Sequence, residues 1–100
     1  MRKNLKIIWE RSALDELKEI LSYIEKQSIA GARIVNTAIR EGVKTLKTNP
    51  NTYTADFLKD NNDGSYRAFT VYSYRITYKI ANNEIIILRV RHTSREPLEH

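Results

Sequence analysis

The residues best suited to chemistry in this 100-residue chain are basic side chains near its C-terminal end. Positions 64–95 hold six Lys or Arg residues and a single acidic residue, Glu84, which gives this segment a net charge of +5. Arginine predominates, and its planar guanidinium group can bind a phosphate or a carboxylate through two parallel hydrogen bonds. The pattern indicates an anionic partner, either an acidic protein or a nucleic acid; the alternative is a basic surface that only maintains solubility. The arginines predicted to contact a target are Arg67, Arg75, Arg89, Arg91 and Arg95.

The rest of the composition argues against several other kinds of protein. The chain has no cysteine, which removes disulfides, thiolate catalysis and cysteine-ligated zinc. Its two histidines, His92 and His100, are too few for a histidine-rich metal site, so neither a metal nor another cofactor is expected. No apolar run approaches the length of about 18 residues that a membrane span needs. Residues 1–9 lack the long apolar stretch of a secretory signal, so we expect a cytoplasmic protein.

Two amphipathic helices follow a short apolar segment at 6–9 and must carry part of the core. The first helix is expected to begin at Ser12, whose hydroxyl would accept a hydrogen bond from the amide three residues later. After a break at 27–28 comes the second helix, which ends before Pro50 because a helix rarely continues into the residue before proline. The short connection predicts an antiparallel helical hairpin. The apolar stripes are Leu14, Leu17, Leu21 and Ile24 in the first helix, and Val35, Ile39, Val43 and Leu46 in the second.

After residue 65 the apolar residues change from helical spacing to the alternation of a strand. Segments 66–72, 74–80 and 85–90 are each typical of a strand, and residues 81–83 of a turn. The short gaps between them predict an antiparallel meander. The element order β-α-α-β-β-β therefore predicts an α+β fold, in which an antiparallel sheet carries the N-terminal helical hairpin on one face.

The two helical stripes and the strands are expected to share one core. The length suits a single domain, residues 1–97, and we interpret 98–100 as a C-terminal tail or the remnant of an expression tag. In addition to the eight residues of the helical stripes, the predicted core contains Ile76, Tyr78, Ile86 and Leu88.

Consecutive motifs in the second half of the chain form a recognisable combination. Tyr66-Arg67 is followed by the strand Tyr74-Arg75-Ile76-Thr77-Tyr78-Lys79-Ile80, then by the aliphatic segment 85–91 and the ending His92-Thr93-Ser94-Arg95-Glu96-Pro97. Together they resemble the RelE/ParE superfamily, the toxins of bacterial type II toxin–antitoxin systems, also known as plasmid stabilisation proteins. The resemblance extends over residues 6–97, and the motifs are specific only in combination.

The resemblance also implies partners and a biological effect. It implies a sheet with a cationic concave face, an intracellular target whose poisoning arrests growth, and a cognate acidic antitoxin that covers the toxin. Contact with operator DNA is implied only through the antitoxin complex, and no contact with a membrane is implied.

Two different activities occur among the proteins that the chain resembles. RelE-like members cut messenger RNA on the ribosome without a metal, whereas ParE-like members inhibit DNA gyrase and are not nucleases. Metal-free RNA cleavage needs proton-transferring groups beside cations that stabilise the phosphate. The candidates for catalysis are Arg75, His92 and Arg95. RelE-like enzymes carry an arginine late in the first strand of the meander, and here the nearest match is Val71 or Tyr72. They also often carry a Tyr or His several residues beyond the final arginine, whereas Arg95 is followed only by Glu96-Pro97-Leu98-Glu99 and by His100 of the possible tag remnant.

These missing groups favour a ParE-like toxin that inhibits DNA gyrase and is neutralised by a cognate antitoxin. The alternative is a RelE-like, ribosome-dependent and metal-free mRNA endoribonuclease, and only in that case would the chain be an enzyme. A more distant alternative is a basic module that binds nucleic acid and is not toxic.

The strand alternation also predicts where the candidate side chains point. Arg67, Arg89 and Arg91 are expected to share the solvent face of the sheet. Tyr74 and Tyr78 are expected to pack in the core. The alternative role, stacking on bases, is open to Tyr66, Tyr72, Tyr74 and Tyr78. Two alternative roles stay open for Arg75: contact with an anionic target, or hydrogen bonds to carbonyl groups of its own chain.

Overall fold

A computed structural model describes residues 5–50 and 64–95. The order of elements is the predicted one, and the α+β class is confirmed. The proposed domain boundary at residue 97 and the tail at 98–100 lie outside the described residues. The elements are strand β1 (Lys6–Trp9), helices α1 (Arg11–Glu25) and α2 (Ile29–Thr45), strands β2 (Tyr66–Val71), β3 (Tyr74–Ala81) and β4 (Glu84–His92), and a short 3-10 helix at Thr93–Arg95.

The four strands form one mixed sheet in the order β1-β4-β3-β2. Strands β2, β3 and β4 form the predicted antiparallel meander. Strand β1 lies parallel to β4, with Lys6 opposite Glu84 and Trp9 opposite Ile87. A parallel pair requires a long crossover connection, and here everything between β1 and β4 provides it. The pattern at 6–9 predicts a strand but does not indicate its parallel partner.

Strand β4 contains an irregularity where it pairs with β3. Thr77 lies opposite Arg89, and the next residue, Tyr78, lies opposite Ile87. Leu88 is therefore an extra residue with no partner across the ladder, which is the arrangement of a β-bulge. Because side chains alternate between the two faces of a sheet, one extra residue reverses the alternation for the rest of the strand.

The bulge decides which residues of β4 enter the core. Ile85 and Ile87, before the bulge, and Val90, after it, are all buried. Ile86 and Leu88 are only half-buried. The prediction that Ile86 and Leu88 belong to the core is wrong, because residues 85–88 are all apolar and show no alternation that would mark the inward face.

Helix α1 contacts β4 and helix α2 contacts β2, so the core lies between the helical hairpin and one face of the sheet. None of the described helices is long and apolar enough to cross a membrane. Leu21 and Val35 are partly buried against this core, and Leu14 and Ile24 are half-buried. The predicted core residues that are buried are Leu17, Ile39, Val43, Leu46, Ile76 and Tyr78, and the structure adds Ala13, Ala32 and Phe69 together with the buried residues of β4.

The two helices begin in different ways. Helix α1 begins at Arg11 after Glu10, whose side chain makes no capping hydrogen bond. The prediction that Ser12 caps this helix is wrong: Ser12 lies within the first turn, and its hydroxyl donates to the carbonyl of Leu88 at 3.3 Å. Helix α2 does have a side-chain cap, because the hydroxyl of Ser28 accepts from the amide of Gly31 at 2.8 Å.

Helix α2 approaches β2 closely at Gly42. A β-carbon at this position would lie 2.7 Å from Cε2 of Phe69, well inside van der Waals contact. Phe69 is itself buried, so its ring has little room to move. The absence of a side chain at position 42 therefore sets the distance between the helix and the sheet.

Candidate functional site

The strand register assigns the candidate arginines to the two faces of the sheet. We call the face on which the helices pack the helix face, and the opposite one the far face. Buried Ile76 marks the helix face, so its neighbour Arg75 lies on the far face, and Arg91 pairs directly with Arg75. Arg89 lies opposite Thr77 on the same face. Three of the five predicted target-binding arginines are thus brought together on the far face.

Arg67 lies on the other side of the sheet. It pairs with the buried Tyr78 and lies two residues before the buried Phe69, so it belongs to the helix face. The expectation that Arg67 shares a face with Arg89 and Arg91 is wrong. Tyr66 and Ala68 are themselves apolar, so the alternation in β2 does not reveal which side faces the core.

Helix α1 places the carboxylate of Glu16 at the edge of β4. Arg89 donates to Oε2 of Glu16 through Nη2 at 2.7 Å and through Nε at 3.0 Å. Nε of Arg91 lies 3.6 Å from the same oxygen. The other oxygen, Oε1, accepts from the backbone amide of Val90 at 2.9 Å. One carboxylate therefore organises two of the candidate arginines and a backbone group of the strand that carries them.

The ionisation of Glu16 follows from these contacts. Partial burial opposes its charged form, but the hydrogen bonds from Arg89 and Val90 and the positive charges of Arg89 and Arg91 outweigh it. The pKa of Glu16 consequently lies below its ordinary value of 4.5. The hydrogen bond to Glu16 in turn raises the pKa of Arg89. Glu16 is therefore charged at neutral pH and offsets one of the two arginine charges beside it.

His92 is held by local contacts on the helix face. It pairs with Tyr74, and the two rings meet edge to face with their centroids 5.3 Å apart. Its Nδ1 accepts a hydrogen bond from the backbone amide of Ser94 at 3.0 Å. An accepting ring nitrogen carries no proton, so the neutral imidazole carries its proton on Nε2. In this arrangement Nε2 can donate a hydrogen bond but cannot accept a proton.

Two of the candidate catalytic residues, Arg75 and His92, are not gathered at one point. Arg75 lies on the far face, whereas His92 lies on the helix face, so the sheet separates them. Arg95 ends the 3-10 helix directly after β4, but its side chain lies outside the part of the chain that the structure describes. Its placement near the other arginines stays a prediction.

Two of the tyrosines have structural roles, as predicted. Tyr78 is fully buried, and its hydroxyl donates to the carbonyl of Pro50 at 2.9 Å, which ties β3 to the segment after α2. Tyr74 packs partly buried against the core and against His92.

Tyr72 differs from these two tyrosines. The alternation predicts it as the last residue of a strand, but the structure places it in the turn between β2 and β3. Its side chain is 65% exposed, and its φ of 54° lies in the left-handed region that bulky residues rarely adopt. The signal for this turn is only the two-residue spacing between strands, without the glycine that usually marks it.

Within residues 5–50 and 64–95, no group of three or more His, Asp or Glu side chains is placed to hold a metal ion. The chemistry of the described site is therefore that of arginines, one carboxylate and aromatic rings.

Comparison with solved structures identifies the fold. A chain from the chromosomal ParDE toxin–antitoxin system of P. aeruginosa superimposes with a TM-score of 0.70 at 22% identity, covering 88% of this chain and 95% of that one. A chain of the RelBE2 toxin–antitoxin complex of Mycobacterium tuberculosis has a TM-score of 0.64 at 16% identity, covering 92% of this chain and 94% of that one. At these identities the likeness establishes the fold alone.

Comparison with protein families goes further. No curated protein matches the chain. The sequence profile of the family described as the ParE toxin of the type II toxin–antitoxin system parDE matches residues 7–97, which is nearly the whole chain. This chain therefore belongs to the family of ParE toxins of type II toxin–antitoxin systems.

Proposed function

We propose that this toxin acts by binding and inhibiting DNA gyrase, and that it does not itself cleave RNA. The observation that carries the proposal is the separation of His92 from Arg75 and Arg91 by the thickness of the sheet. Metal-free RNA cleavage needs an acid–base group and phosphate-stabilising cations at the same phosphate. Among the described residues, His92 does not meet that geometric requirement with Arg75 or Arg91.

The contacts of His92 support the same conclusion. A general base must offer an unprotonated nitrogen to the hydroxyl that it activates. The amide of Ser94 occupies Nδ1, so the remaining nitrogen, Nε2, carries the proton. Activation of a nucleophile by His92 would first require loss of this hydrogen bond.

The far face offers what a binding protein needs instead. Arg75 and Arg91 are paired on it, and Arg89 is fixed beside them by Glu16. Arginines held in place by neighbouring groups lose little conformational freedom when they bind carboxylates of a partner. In this proposal they contact acidic groups of gyrase.

A cognate acidic antitoxin is the second proposed partner. The similar P. aeruginosa structure comes from a toxin–antitoxin system, and the similar M. tuberculosis structure is a toxin–antitoxin complex. The far-face arginines attract an acidic segment, and the half-buried hairpin residues Leu14 and Ile24 offer apolar surface. We propose that a C-terminal segment of the antitoxin folds on binding, neutralises the toxin in the cytoplasm and so prevents growth arrest.

The proposal is tested by comparing two activities of the purified protein. Gyrase supercoiling and translation of a reporter mRNA are assayed in parallel with the wild-type chain, Arg91→Ala and Arg33→Ala. Arg33 is an exposed arginine of α2 and serves as the control. We expect inhibition of supercoiling that is weakened by Arg91→Ala and unaffected by Arg33→Ala, with intact mRNA. Cleaved mRNA together with undiminished supercoiling would establish the RelE-like endoribonuclease instead.

A further inference from the structure

We propose that the turn between β2 and β3 is the part of this toxin that enters its protein target, with Tyr72 as the aromatic anchor and Arg75 and Arg91 as its flanking contacts to acidic groups. The inference rests on the proposed function, because it takes the target to be a protein. The proposed contact lies at one end of the sheet, and its anchor is a side chain that is not one of the candidate arginines.

The backbone conformation of Tyr72 is unusual for a tyrosine. Its φ of 54° is unfavourable for a side chain with a β-carbon and a ring, whereas glycine or asparagine adopts it readily. The other hairpin turn of the sheet has the same kind of conformation and fills it with Asn82, at φ 50°. Tyr72 is 65% exposed, so its ring adds little to the core in return. A bulky exposed ring on an unfavourable backbone is explained by a contact made outside the chain.

The turn that contains Tyr72 is held rigidly. The amide of Thr93 donates to the carbonyl of Ser73 at 2.8 Å, which ties the turn to the end of β4. Immediately after the turn, Tyr74 pairs with His92, and the amide of Ser94 donates to that histidine. A tyrosine presented from a fixed backbone loses little conformational entropy on binding, which is why such residues dominate the energetics of many interfaces.

Charge is distributed unevenly along the sheet. Arg75 lies three residues after Tyr72 and pairs with Arg91, so the end of the sheet at this turn is cationic. Glu84, the single acidic residue of segment 64–95, lies at the opposite end, directly after the turn that contains Asn82. The partner that fits is an apolar pocket bordered by Asp or Glu side chains.

A protein pocket fits these features better than a single-stranded nucleic acid does. Nucleic-acid platforms present several aromatic rings in succession along a basic groove. Among the described residues, the next ring along the chain, Tyr74, packs against His92, and at the other end of β2 Lys79 lies over the ring of Tyr66 at 5.2 Å. Within the described strands β2 to β4 and their turns, Tyr72 is therefore a single exposed ring and does not form part of a stacking series.

Replacement of Tyr72 by glycine separates a binding role from a structural one. Glycine relieves the unfavourable conformation and removes the ring, so we expect the melting temperature to rise by several degrees. We expect inhibition of gyrase supercoiling to weaken by on the order of tenfold or more. Asn82→Gly is the matched control, since it makes the same backbone change at the opposite end of the sheet and should leave inhibition unchanged. Tyr72→Phe, which keeps the ring, should retain most of the inhibition.

The possible results distinguish this inference from the function on which it rests. Full inhibition by Tyr72→Gly, or a lower melting temperature, would overturn the role of the turn. If the wild-type chain does not inhibit gyrase, the proposed function fails, and growth arrest by the same variants then tests the role of the turn. Undiminished growth arrest by Tyr72→Gly overturns that role. Loss of growth arrest supports it for a protein target other than gyrase. The affinity of the same variants for a mixed-sequence single-stranded oligonucleotide is measured as well. If this affinity falls in parallel with activity, the proposal that the partner is a protein is overturned.

Discussion

At the scale of single residues, side chains of α1 form hydrogen bonds with backbone groups of β4 beyond the end of β1. Strand β1 ends at Trp9, and on that side of β4 no described strand lies beyond Ile87. The carbonyl of Leu88 accepts from the hydroxyl of Ser12, and the amide of Val90 donates to Glu16. Backbone groups that an edge would leave to solvent are therefore bonded within the chain, and the same carboxylate fixes Arg89.

Replacement of Glu16 by glutamine tests this arrangement through its pH dependence. At neutral pH we expect a loss of about 1–2 kcal/mol, because bonds to a charged group are stronger than neutral ones but Arg89 is partly solvated. The folded-state pKa of Glu16 is lowered, so its stabilisation is present above the ordinary value of 4.5 and is lost as the pH falls through the folded-state pKa.

Urea unfolding of the wild-type and Glu16→Gln proteins at about pH 7 and at about pH 3 measures this effect. The difference in free energy of unfolding should shrink at the lower pH. Glu19→Gln, at an exposed position of the same helix, should show no such difference at either pH. An equal loss for Glu16→Gln at both pH values would contradict a role for the charge.

His92 provides a second test at this scale. Glutamine at position 92 can still accept the hydrogen bond from Ser94 but cannot transfer a proton. Under the proposed gyrase mechanism, His92→Gln should leave inhibition of supercoiling unchanged, because no proton is transferred. An endoribonuclease that used this histidine would lose roughly 10²–10⁴ in cleavage rate, measured with a labelled mRNA on ribosomes. A large loss of gyrase inhibition at an unchanged melting temperature would argue against our interpretation.

At the scale of secondary-structure elements, the contact of α2 with β2 depends on Gly42. Alanine would raise helix propensity by up to about 1 kcal/mol, but its methyl group would overlap the ring of Phe69. Overpacking of this kind costs about 1–3 kcal/mol, so we expect Gly42→Ala to lower the melting temperature. Thr37→Ala, at an exposed position of the same helix, is the control and should not lower it.

The double variant Gly42→Ala with Phe69→Leu checks the cause. Removing the ring should make the alanine at position 42 less destabilising than it is in the wild-type background, and a double-mutant cycle measures that coupling. Additive effects of the two changes would show that the ring is not what position 42 meets.

Some features of the secondary-structure elements can be predicted from the sequence alone, and others cannot. Helical periodicity predicts both helices, and the buried Leu17, Ile39 and Val43 follow from it. The phase of β4 could not be predicted, because residues 85–88 are uniformly apolar and the bulge at Leu88 exists only in its pairing with β3. The cap of α2 can be predicted from the sequence, because a serine stands three residues before Gly31 and accepts a hydrogen bond from its amide. The role of Ser12 cannot, because its hydroxyl bonds to a strand 76 positions later in the sequence.

At the scale of the whole molecule, composition predicted the cationic character of the site but not its geometry. The five arginines stand out in a segment with one acidic residue. The register divides them between two faces of the sheet, with Arg67 on one and Arg75, Arg89 and Arg91 on the other. Glu16, more than 70 positions earlier in the sequence, neutralises part of this charge, and no local pattern could reveal that contact.

The net charge of +5 gives a prediction about the antitoxin complex. Its dissociation constant should rise with salt concentration, because contacts between exposed arginines and acidic side chains are screened, while a part carried by apolar surface should persist. Isothermal titration at about 50 and 500 mM NaCl measures both parts. Arg91→Glu should weaken binding mainly at low salt, and Arg33→Glu should do so less. Affinity that responds to neither salt nor charge reversal would exclude the arginines from the antitoxin interface.

The parallel pairing of β1 with β4 has a consequence for how the toxin is made. Residues 6–9 are synthesised well before their partners at 84–87, and β4 is an inner strand of the sheet. Contacts this far apart in sequence slow folding, because a long loop must close before they form. A ribosome that stops before residue 84 therefore releases a chain that lacks both the inner strand and Arg89 and Arg91. Under the proposed function, incomplete copies of this toxin are harmless to the cell that makes them.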